Sequence, residues 1–257
     1  MKKLYYMLDF SAFQCFFQIR VNDVEIFSFN VEGQTSIDIP INQGILESGE
    51  CTVEVKVFPL QGKTELHEKA YAKYKVTVFD LSSGDFVFVE QFEEQRTPPA
   101  QKAIPFTQVS SLFYAEVLYK IDAWQNGINL KDVNFNLKEK LLQEYQKILN
   151  RIAEKQYSEI EELYRKKEEN TATVMYLNEE EKKERMSKLF NDFSSGFEPV
   201  PLSKDSFVEY SAYGKRVCLK NLDGLSALRL ENKETEEDLV LDIAFYIPKG
   251  KTEFEVI

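Results

Sequence analysis

The longest helical pattern in this sequence is Asn136–Glu169, NLKEKLLQEYQKILNRIAEKQYSEIEELYRKKEE. Its apolar residues recur at steps of three and four, which is the spacing of one face of an α-helix. They are Leu137, Leu141, Tyr145, Ile148 and Ile152. Strand-like sequence lies on both sides of this stretch. The pattern therefore predicts a helical layer that packs on a sheet, and it indicates no chemistry by itself.

Two capping signals divide this helical pattern. Asn136–Glu139 and Ser158–Glu161 each pair a capping side chain with a glutamate three residues later, as at a helix N-terminus. The apolar stripe also changes phase near Gln156. A third signal begins at Asn178, and Gly196 follows in the position expected just after a helix end. We therefore expect helices at about 137–154, 158–170 and 178–194.

The first ninety or so residues have strand patterns separated by turn signals. Apolar and polar residues alternate most clearly in Thr52–Val57 and Tyr74–Phe79, and Asn22-Asp23 is a tight-turn signal. The predicted strands are 4–10, 13–21, 24–29, 34–39, 50–59, 70–80 and 85–92. Short strands at such spacing are typical of a β-sandwich. We therefore expect a mainly β sandwich domain at residues 1–94.

Part of this region resembles a known class of module. The motifs are Val21–Asp23, Pro40–Asn42 and Gly49–Val53, and the run that they span resembles immunoglobulin-like or jelly-roll-like modules in bacterial proteins. The resemblance implies a sandwich and carries no catalytic motif. The Cys…Trp…Cys core of antibody domains is missing, so the true immunoglobulin family is not implied.

A polar segment with Pro98-Pro99 follows, and it predicts a linker at 95–104 before a second domain at 105–257. Strand patterns return after the helices, at about 207–213, 215–220, 225–231, 239–247 and 252–257. Their short connections predict an antiparallel meander, so the second domain is expected to be α+β, with two or three helices packed on that meander. This order of elements is similar to the nuclear-transport-factor-2-like cone fold, as an analogy.

The net charge restricts the partners that this chain can have. The 257 residues include 43 Asp and Glu against 32 Lys and Arg, a formal net charge of −11. Binding to nucleic acid or to an anionic membrane needs a basic surface, so neither is expected. A protein partner, with a basic surface as one option, fits this charge. The sequence leaves the oligomeric state open.

The N-terminal segment Met1–Val21 has two lysines before an apolar stretch, as a signal peptide has. Asp9, Gln14 and Gln18 interrupt that stretch, and no small-residue cleavage site follows it. The segment therefore predicts strands and a cytoplasmic protein. A periplasmic location stays open for a chain from which a signal peptide has been removed.

Residues that commonly carry catalysis are scarce. His67 is the single histidine and lies in a charged segment between predicted strands, which favours a solvated loop residue. Cys15, Cys51 and Cys218 are widely spaced without a C-x-x-C motif, so buried free thiols are expected, although Cys15 and Cys51 could face each other. No phosphate-binding or calcium loop motif occurs. The sequence therefore predicts no catalytic residue, no cofactor and no metal site.

A candidate binding surface remains at two turns of the second domain. Aromatic residues flank the hairpin signal at Gly214, and Asn232–Asp238 is a charged loop between predicted strands. The candidate residues are Tyr210, Tyr213, Lys215, Glu234, Glu236, Glu237 and Asp238. Exposed aromatic and charged residues of this kind occur at interfaces.

Three functional hypotheses follow from these observations. The first is a non-catalytic bacterial protein-binding protein, such as an immunity or inhibitor protein that neutralises a toxin or secreted effector. The second is a small-molecule-binding or hydrolytic protein with a pocket in a cone-like second domain. Such a pocket would be lined by Tyr145, Phe190, Tyr210 or Tyr246. The third is a structural or envelope-assembly module that uses the edge of the sandwich for strand addition.

Overall fold

Residues 1–100 and 104–257 are described by a computed structural model of this chain. Strand accounts for 39% and helix for 22%, so the fold is mainly β, with a curled antiparallel sheet and three helices. The chain separates into two units. Unit 1 comprises Met1–Ile121 with Val174–Tyr176, and unit 2 comprises Asp122–Thr173 with Leu177–Ile257. No helix in the described residues is long and apolar enough to cross a membrane.

Unit 1 is built around one antiparallel sheet. Its strands are β1 (Leu4–Val21), β2 (Val24–Pro40), β3 (Gly49–Phe58), β4 (Tyr71–Asp80), β5 (Val87–Gln91), β6 (Gln95–Arg96) and β7 (Thr107–Ala115). The strand order is β5-β4-β1-β3-β7, while β2 pairs with β1 and β6 pairs with β4. The first part of β1 pairs with β4 and the second part pairs with β3.

A bulge in β1 explains how one strand serves both parts of the sheet. Its buried apolar side chains are even-numbered from Tyr6 to Ala12 and odd-numbered from Cys15 to Val21. Between them lies Gln14, with a left-handed φ of 51° and a register shift against β2. Successive strand residues point to opposite faces, so one extra residue restores the apolar face to the core after the bend.

The predictions for this region need two corrections. The segments 4–10 and 13–21 form one bulged strand, β1, and the segments 24–29 and 34–39 form one continuous strand, β2. The predicted turn at Asn22-Asp23 is present between them, and both residues have left-handed φ values, 50° and 60°. Such values are those of the tight hairpin turns that join long antiparallel strands.

Paired strands lie before and after residues 101–103 of the predicted linker. Those three residues lie outside the described residues. Before them β6 pairs with β4, and after them β7 pairs with β3 along its whole length. Residues up to Ile121 accordingly belong to unit 1. A domain boundary at 95–104 stays a prediction.

Unit 2 contains the three expected helices. They are α1 (Leu137–Ala153), α2 (Tyr157–Val174) and α3 (Glu179–Ser194). The side chain of Asn136 accepts a hydrogen bond from the Glu139 amide at the start of α1, and Asn178 forms a full capping box with Glu181 at the start of α3. The apolar stripe of α1 is buried, as its spacing predicts.

The strands of unit 2 form two sheets. They are β8 (Glu198–Pro199), β9 (Phe207–Ser211), β10 (Arg216–Lys220), β11 (Arg229–Asn232), β12 (Glu237–Val240), β13 (Phe245–Tyr246) and β14 (Glu255–Val256). One sheet has the order β14-β13-β10-β9 and the other β12-β11-β8. The prediction of a single meander is therefore wrong. After the turn at Gly224 the chain runs beside β10 only briefly, and Phe245 of β13 then pairs with Val217.

Candidate functional site

The residues predicted as a binding surface lie on two hairpins of unit 2. The first group, Tyr210, Tyr213 and Lys215, lies on the hairpin between β9 and β10. The second group, Glu234, Glu236, Glu237 and Asp238, lies on the hairpin between β11 and β12. The two hairpins belong to different sheets. Strand pairing therefore does not join them, and a single surface formed by both stays a prediction.

The turn of the first hairpin is strained. Ala212, Tyr213 and Gly214 have consecutive left-handed φ values of 51°, 57° and 87°. This conformation costs roughly 1–2 kcal/mol for each residue that has a Cβ atom. The side chain of Tyr213 is 68% exposed. A strained backbone conformation persists only where neighbouring residues hold it in place. In this turn, the strained conformation places the Tyr213 ring in solvent.

Neighbouring loop residues hold this strained turn. The carbonyl of Gly214 accepts a hydrogen bond from the Leu130 amide at 2.8 Å. The amine of Lys215 donates to the Gln125 carbonyl at 2.7 Å. Lys215 thus supports the turn, and Tyr213 is the exposed side chain of the predicted group.

The second hairpin is acidic and solvated. Its turn is organised by Asn232, whose side chain accepts from the Glu234 amide at 3.0 Å and donates to the Ser195 carbonyl at 2.9 Å. Asp238 pairs with Arg229 at 2.5 Å. The exposed glutamates are Glu234, Glu236 and Glu237. Three exposed carboxylates on one turn can attract a basic partner.

A third surface, which the sequence patterns did not reveal, lies in unit 1. Phe86, Val87 and Phe88 are 59%, 51% and 61% exposed. We call these three residues the apolar edge. Phe86 directly precedes β5, the terminal strand of its sheet, and Val87 and Phe88 begin it; successive strand residues point to opposite faces, so Val87 and Phe88 are exposed on opposite faces. The signal was the run Phe-Val-Phe in the predicted strand 85–92, where aromatic residues do not by themselves indicate exposure.

Ring contacts hold the apolar edge in place. The ring of Phe86 meets the rings of Tyr5 and Phe79 edge-on, with 5.6 Å between centroids in each pair. The ring of Phe88 lies 6.4 Å from that of Phe79 in the same edge-on geometry. These contacts restrict the rings while leaving more than half of each side chain in solvent. An ordered aromatic surface loses less conformational entropy on binding.

The chain around the apolar edge is acidic. Residues 76–95 contain no lysine or arginine and include Asp80, Asp85, Glu90, Glu93 and Glu94. Hydrogen bonds from Ser82 hold the pKa of Asp80 below its ordinary value, so this carboxylate is ionised at neutral pH. Lys73 of β4 pairs with Glu94 at 2.8 Å. The segment that carries the apolar edge is thus acidic, although Lys2 and Lys73 from outside it lie near Asp80 and Glu94.

Two adjoining cavities lie beside α2 and α3 in unit 2. The first has a volume of about 310 Å³, and charged side chains of both helices line it. The second has a volume of about 260 Å³ and is lined in part by Tyr164, Lys167 and Asp242. Both share Arg185, which pairs with Glu168 at 3.1 Å. The aromatic residues predicted to line a pocket line neither cavity; they are Tyr145, Phe190, Tyr210 and Tyr246.

The second cavity contains a buried phenol beside an amine. The Tyr164 hydroxyl is buried and has no hydrogen-bond partner among the described residues. Burial raises its pKa, so the phenol is neutral. The Lys167 amine donates to the Asp242 carbonyl and lies 5.3 Å from the centroid of the Tyr164 ring, and burial lowers its pKa. Tyr164 therefore combines a place in the lining of this cavity with a buried hydroxyl that has no partner among the described residues.

The histidine and the three cysteines are the remaining candidates for chemistry. The exposed His67 ring accepts a hydrogen bond at Nδ1 from the Lys69 amide at 3.1 Å. The three cysteines are free thiols, and burial raises the pKa of Cys15 to about 12, which removes its thiolate at neutral pH. Within residues 1–100 and 104–257, no three His, Cys, Asp or Glu side chains are placed to hold a metal ion.

No protein-family model, no curated protein and no solved structure matches this chain. A functional proposal therefore depends on the surfaces of the molecule and on their charge.

Proposed function

We propose that this chain is a non-catalytic protein-binding protein and that its working surface is the apolar edge. The observation that supports the proposal is the exposure of three consecutive apolar residues at a terminal strand: Phe86 directly before β5, and Val87 and Phe88 at its start. An uncovered apolar strand edge promotes aggregation, and natural proteins normally cover or blunt it. A partner protein that covers these rings would remove them from solvent.

The specific role that we propose is that of a bacterial immunity or inhibitor protein, which neutralises a toxin or a secreted effector in the cytoplasm. The net charge of −11 supports this role, because it speeds association with a basic partner. We also propose the domain architecture: an immunoglobulin-like or jelly-roll-like sandwich joined to a second, α+β domain. The curled antiparallel sheet is consistent with this architecture.

A second candidate function is the binding of a small molecule in unit 2. It is favoured by one observation, the unpartnered Tyr164 hydroxyl at the second cavity. With volumes of about 310 and 260 Å³, the cavities lie near the lower end of the usual ligand-site range of about 300–1,000 Å³. This candidate predicts a ligand whose acceptor atom reaches Tyr164.

Site-specific photo-crosslinking tests the protein-binding function. A benzophenone amino acid replaces Phe88 in one variant and Tyr114 in the control, since Tyr114 is 62% exposed on β7, at the other end of the sheet order. Both variants are produced in the organism that makes the protein. We expect one protein to be attached through position 88 and not through position 114. Attachment at neither position, or equally at both, would contradict the proposal.

The captured protein is then purified and its affinity is measured. Phe88→Thr keeps a strand-forming residue and removes the ring, so we expect binding to weaken about 30-fold, as for a hot-spot residue. Tyr213→Ser tests the hairpin surface predicted from sequence. If Tyr213→Ser abolishes binding and Phe88→Thr leaves it unchanged, the partner uses the hairpin and the apolar edge is not the working surface.

A further inference from the structure

We propose that the apolar edge binds its partner by strand addition, and that the added segment is extended and combines apolar side chains with lysine or arginine. This inference rests on the proposed protein-binding function. It goes further by naming the conformation and the charge of the segment that binds.

Among the described residues, β4 is the strand that pairs with β5, and no strand pairs with the other side of the β5 backbone. β5 is the terminal strand of its sheet, and its register with β4 runs from Asp80↔Val87 to Thr77↔Gln91. In an antiparallel strand the amides and carbonyls alternate between the two sides. About half of those of β5 therefore point away from β4, where an added strand could pair with them.

The usual protection against strand addition is incomplete here. Edge strands are normally blunted by lysine, proline, a bulge or a covering element. Val87–Gln91 contains neither lysine nor proline, and Val87 and Phe88 are exposed on opposite faces. A register shift against β4 between Val78 and Phe79 does interrupt the strand, next to Val89. The added strand is therefore expected to be short and to lie along Phe86–Phe88, before the interruption.

The charge around the edge selects the partner. Residues 76–95 contain five carboxylates and no basic residue, and Lys73 of β4 offsets one of the five, Glu94. A second copy of this chain would place the same carboxylates opposite each other, and each copy has a net charge of −11. Like charges across a strand pair destabilise it and opposite charges stabilise it. A basic segment of another protein is thus favoured over self-association, with its apolar side chains on Phe86 and Phe88 and its cations near Glu90 and Glu93.

Short synthetic peptides test this inference on the full chain. The probe is a blocked peptide of alternating valine and lysine, and the control has glutamate in place of lysine. We expect the lysine peptide to bind at least about tenfold more tightly, and increasingly weakly as salt is added, because exposed charges are screened. Hydrogen exchange followed by NMR should show new protection of amides in β5. Equal binding of both peptides would overturn the charge assignment.

Two further comparisons separate strand addition from side-chain docking. Methylation of alternate backbone nitrogens of the lysine peptide removes its donors and should abolish binding, and unchanged binding would overturn strand addition. Phe88→Thr should weaken binding of the peptide, whereas the matched change Leu112→Thr, at a residue 61% exposed on β7, should not. A dimer of this chain that Phe88→Thr disrupts would identify a second copy as the occupant and overturn the basic partner.

The inference can fail while the proposed function survives. If the protein crosslinked at position 88 contacts it through a helix or through an acidic segment, the strand-addition model is wrong and the protein-binding function stands. If no protein is crosslinked at that position, the protein-binding function itself fails.

Discussion

The hydroxyl oxygen of Tyr145 lies 2.9 Å from the backbone nitrogen of Leu219, so a residue in the middle of α1 is hydrogen-bonded to β10. The same hydroxyl donates to the carbonyl of Ile243 at 3.2 Å. The Tyr145 side chain is fully buried, and its ring lies 5.5 Å from that of Phe245. Since buried polar groups must be hydrogen-bonded, this residue fixes how the helix sits on the sheet within unit 2.

Tyr145→Phe is expected to lower the free energy of unfolding by about 1–3 kcal/mol, because the Leu219 amide loses its partner in the core. Tyr164→Phe is the matched control, since it removes a buried hydroxyl that has no partner among the described residues. It should leave the free energy of unfolding unchanged or raise it. Urea denaturation measures both. A larger loss for Tyr164→Phe would indicate that this hydroxyl holds a bound molecule, as the second candidate function requires.

Deletion of Gln14 is expected to prevent unit 1 from folding. Without this extra residue the second half of β1 would turn Cys15, Phe17 and Ile19 away from the core. Near-ultraviolet circular dichroism should show loss of fixed aromatic packing. Deletion of Gly62, in the exposed loop between β3 and β4, is the control and should be tolerated. A stable Gln14-deletion variant would mean that the bulge moves to a neighbouring residue.

Helices and strand pairing differ in how well the sequence predicts them. The helices could be placed closely because caps such as Asn136 and Asn178 are local signals, and α2 alone continues past its expected end, to Val174. Strand patterns identify strands but not their partners. Nothing local in β10 indicates that β13 pairs with it, because that choice depends on residues far along the chain.

The candidate surfaces illustrate a similar limit. Tyr213 could be identified from its turn, and the structure shows that it is exposed. Phe86 and Phe88 could not be identified, because aromatic residues in a strand usually indicate a core position. Their exposure follows from the position of β5 at the end of the sheet, which is a property of the topology and not of the residues.

Gly214→Ala is expected to destabilise the protein more than Gly62→Ala. Both glycines have a left-handed φ, 87° and 79°, so both substitutions incur roughly 1–2 kcal/mol of backbone strain. At Gly214 the new Cβ atom would also lie 2.5 Å from Oδ1 of Asn129, an atom that accepts a hydrogen bond from the Lys131 amide. At Gly62 no atom lies within 4 Å. Thermal unfolding measures the difference, and equal losses would show that Asn129 moves freely.

The stability of the chain should fall at alkaline pH in part through Cys15. Burial raises the pKa of this thiol from 9.0 to about 12. The native state therefore retains a proton that the unfolded state has lost between these values, and the free energy of unfolding decreases as pH rises through that window. Cys15→Ala removes this contribution. The difference in free energy of unfolding between the natural chain and Cys15→Ala should therefore become smaller as pH rises above 9.

Cys218→Ala, at a half-buried thiol, is the control for this pH dependence. Chemical denaturation across the alkaline range measures the effect in all three proteins. A difference between the natural chain and Cys15→Ala that stays constant at every pH would show that the Cys15 thiol ionises as easily in the native state as in the unfolded state.

The long central strand has a consequence for synthesis of the protein. β1 needs β4 as a neighbour, and the contact between the Lys3 amide and the Asp80 carboxylate joins residues 77 positions apart. At about 5–20 residues per second, a ribosome takes roughly 4–15 s to make that stretch. During this time the apolar face of β1 has only β2 and then β3 beside it. Strand β1 is therefore without its partner β4 for several seconds during synthesis.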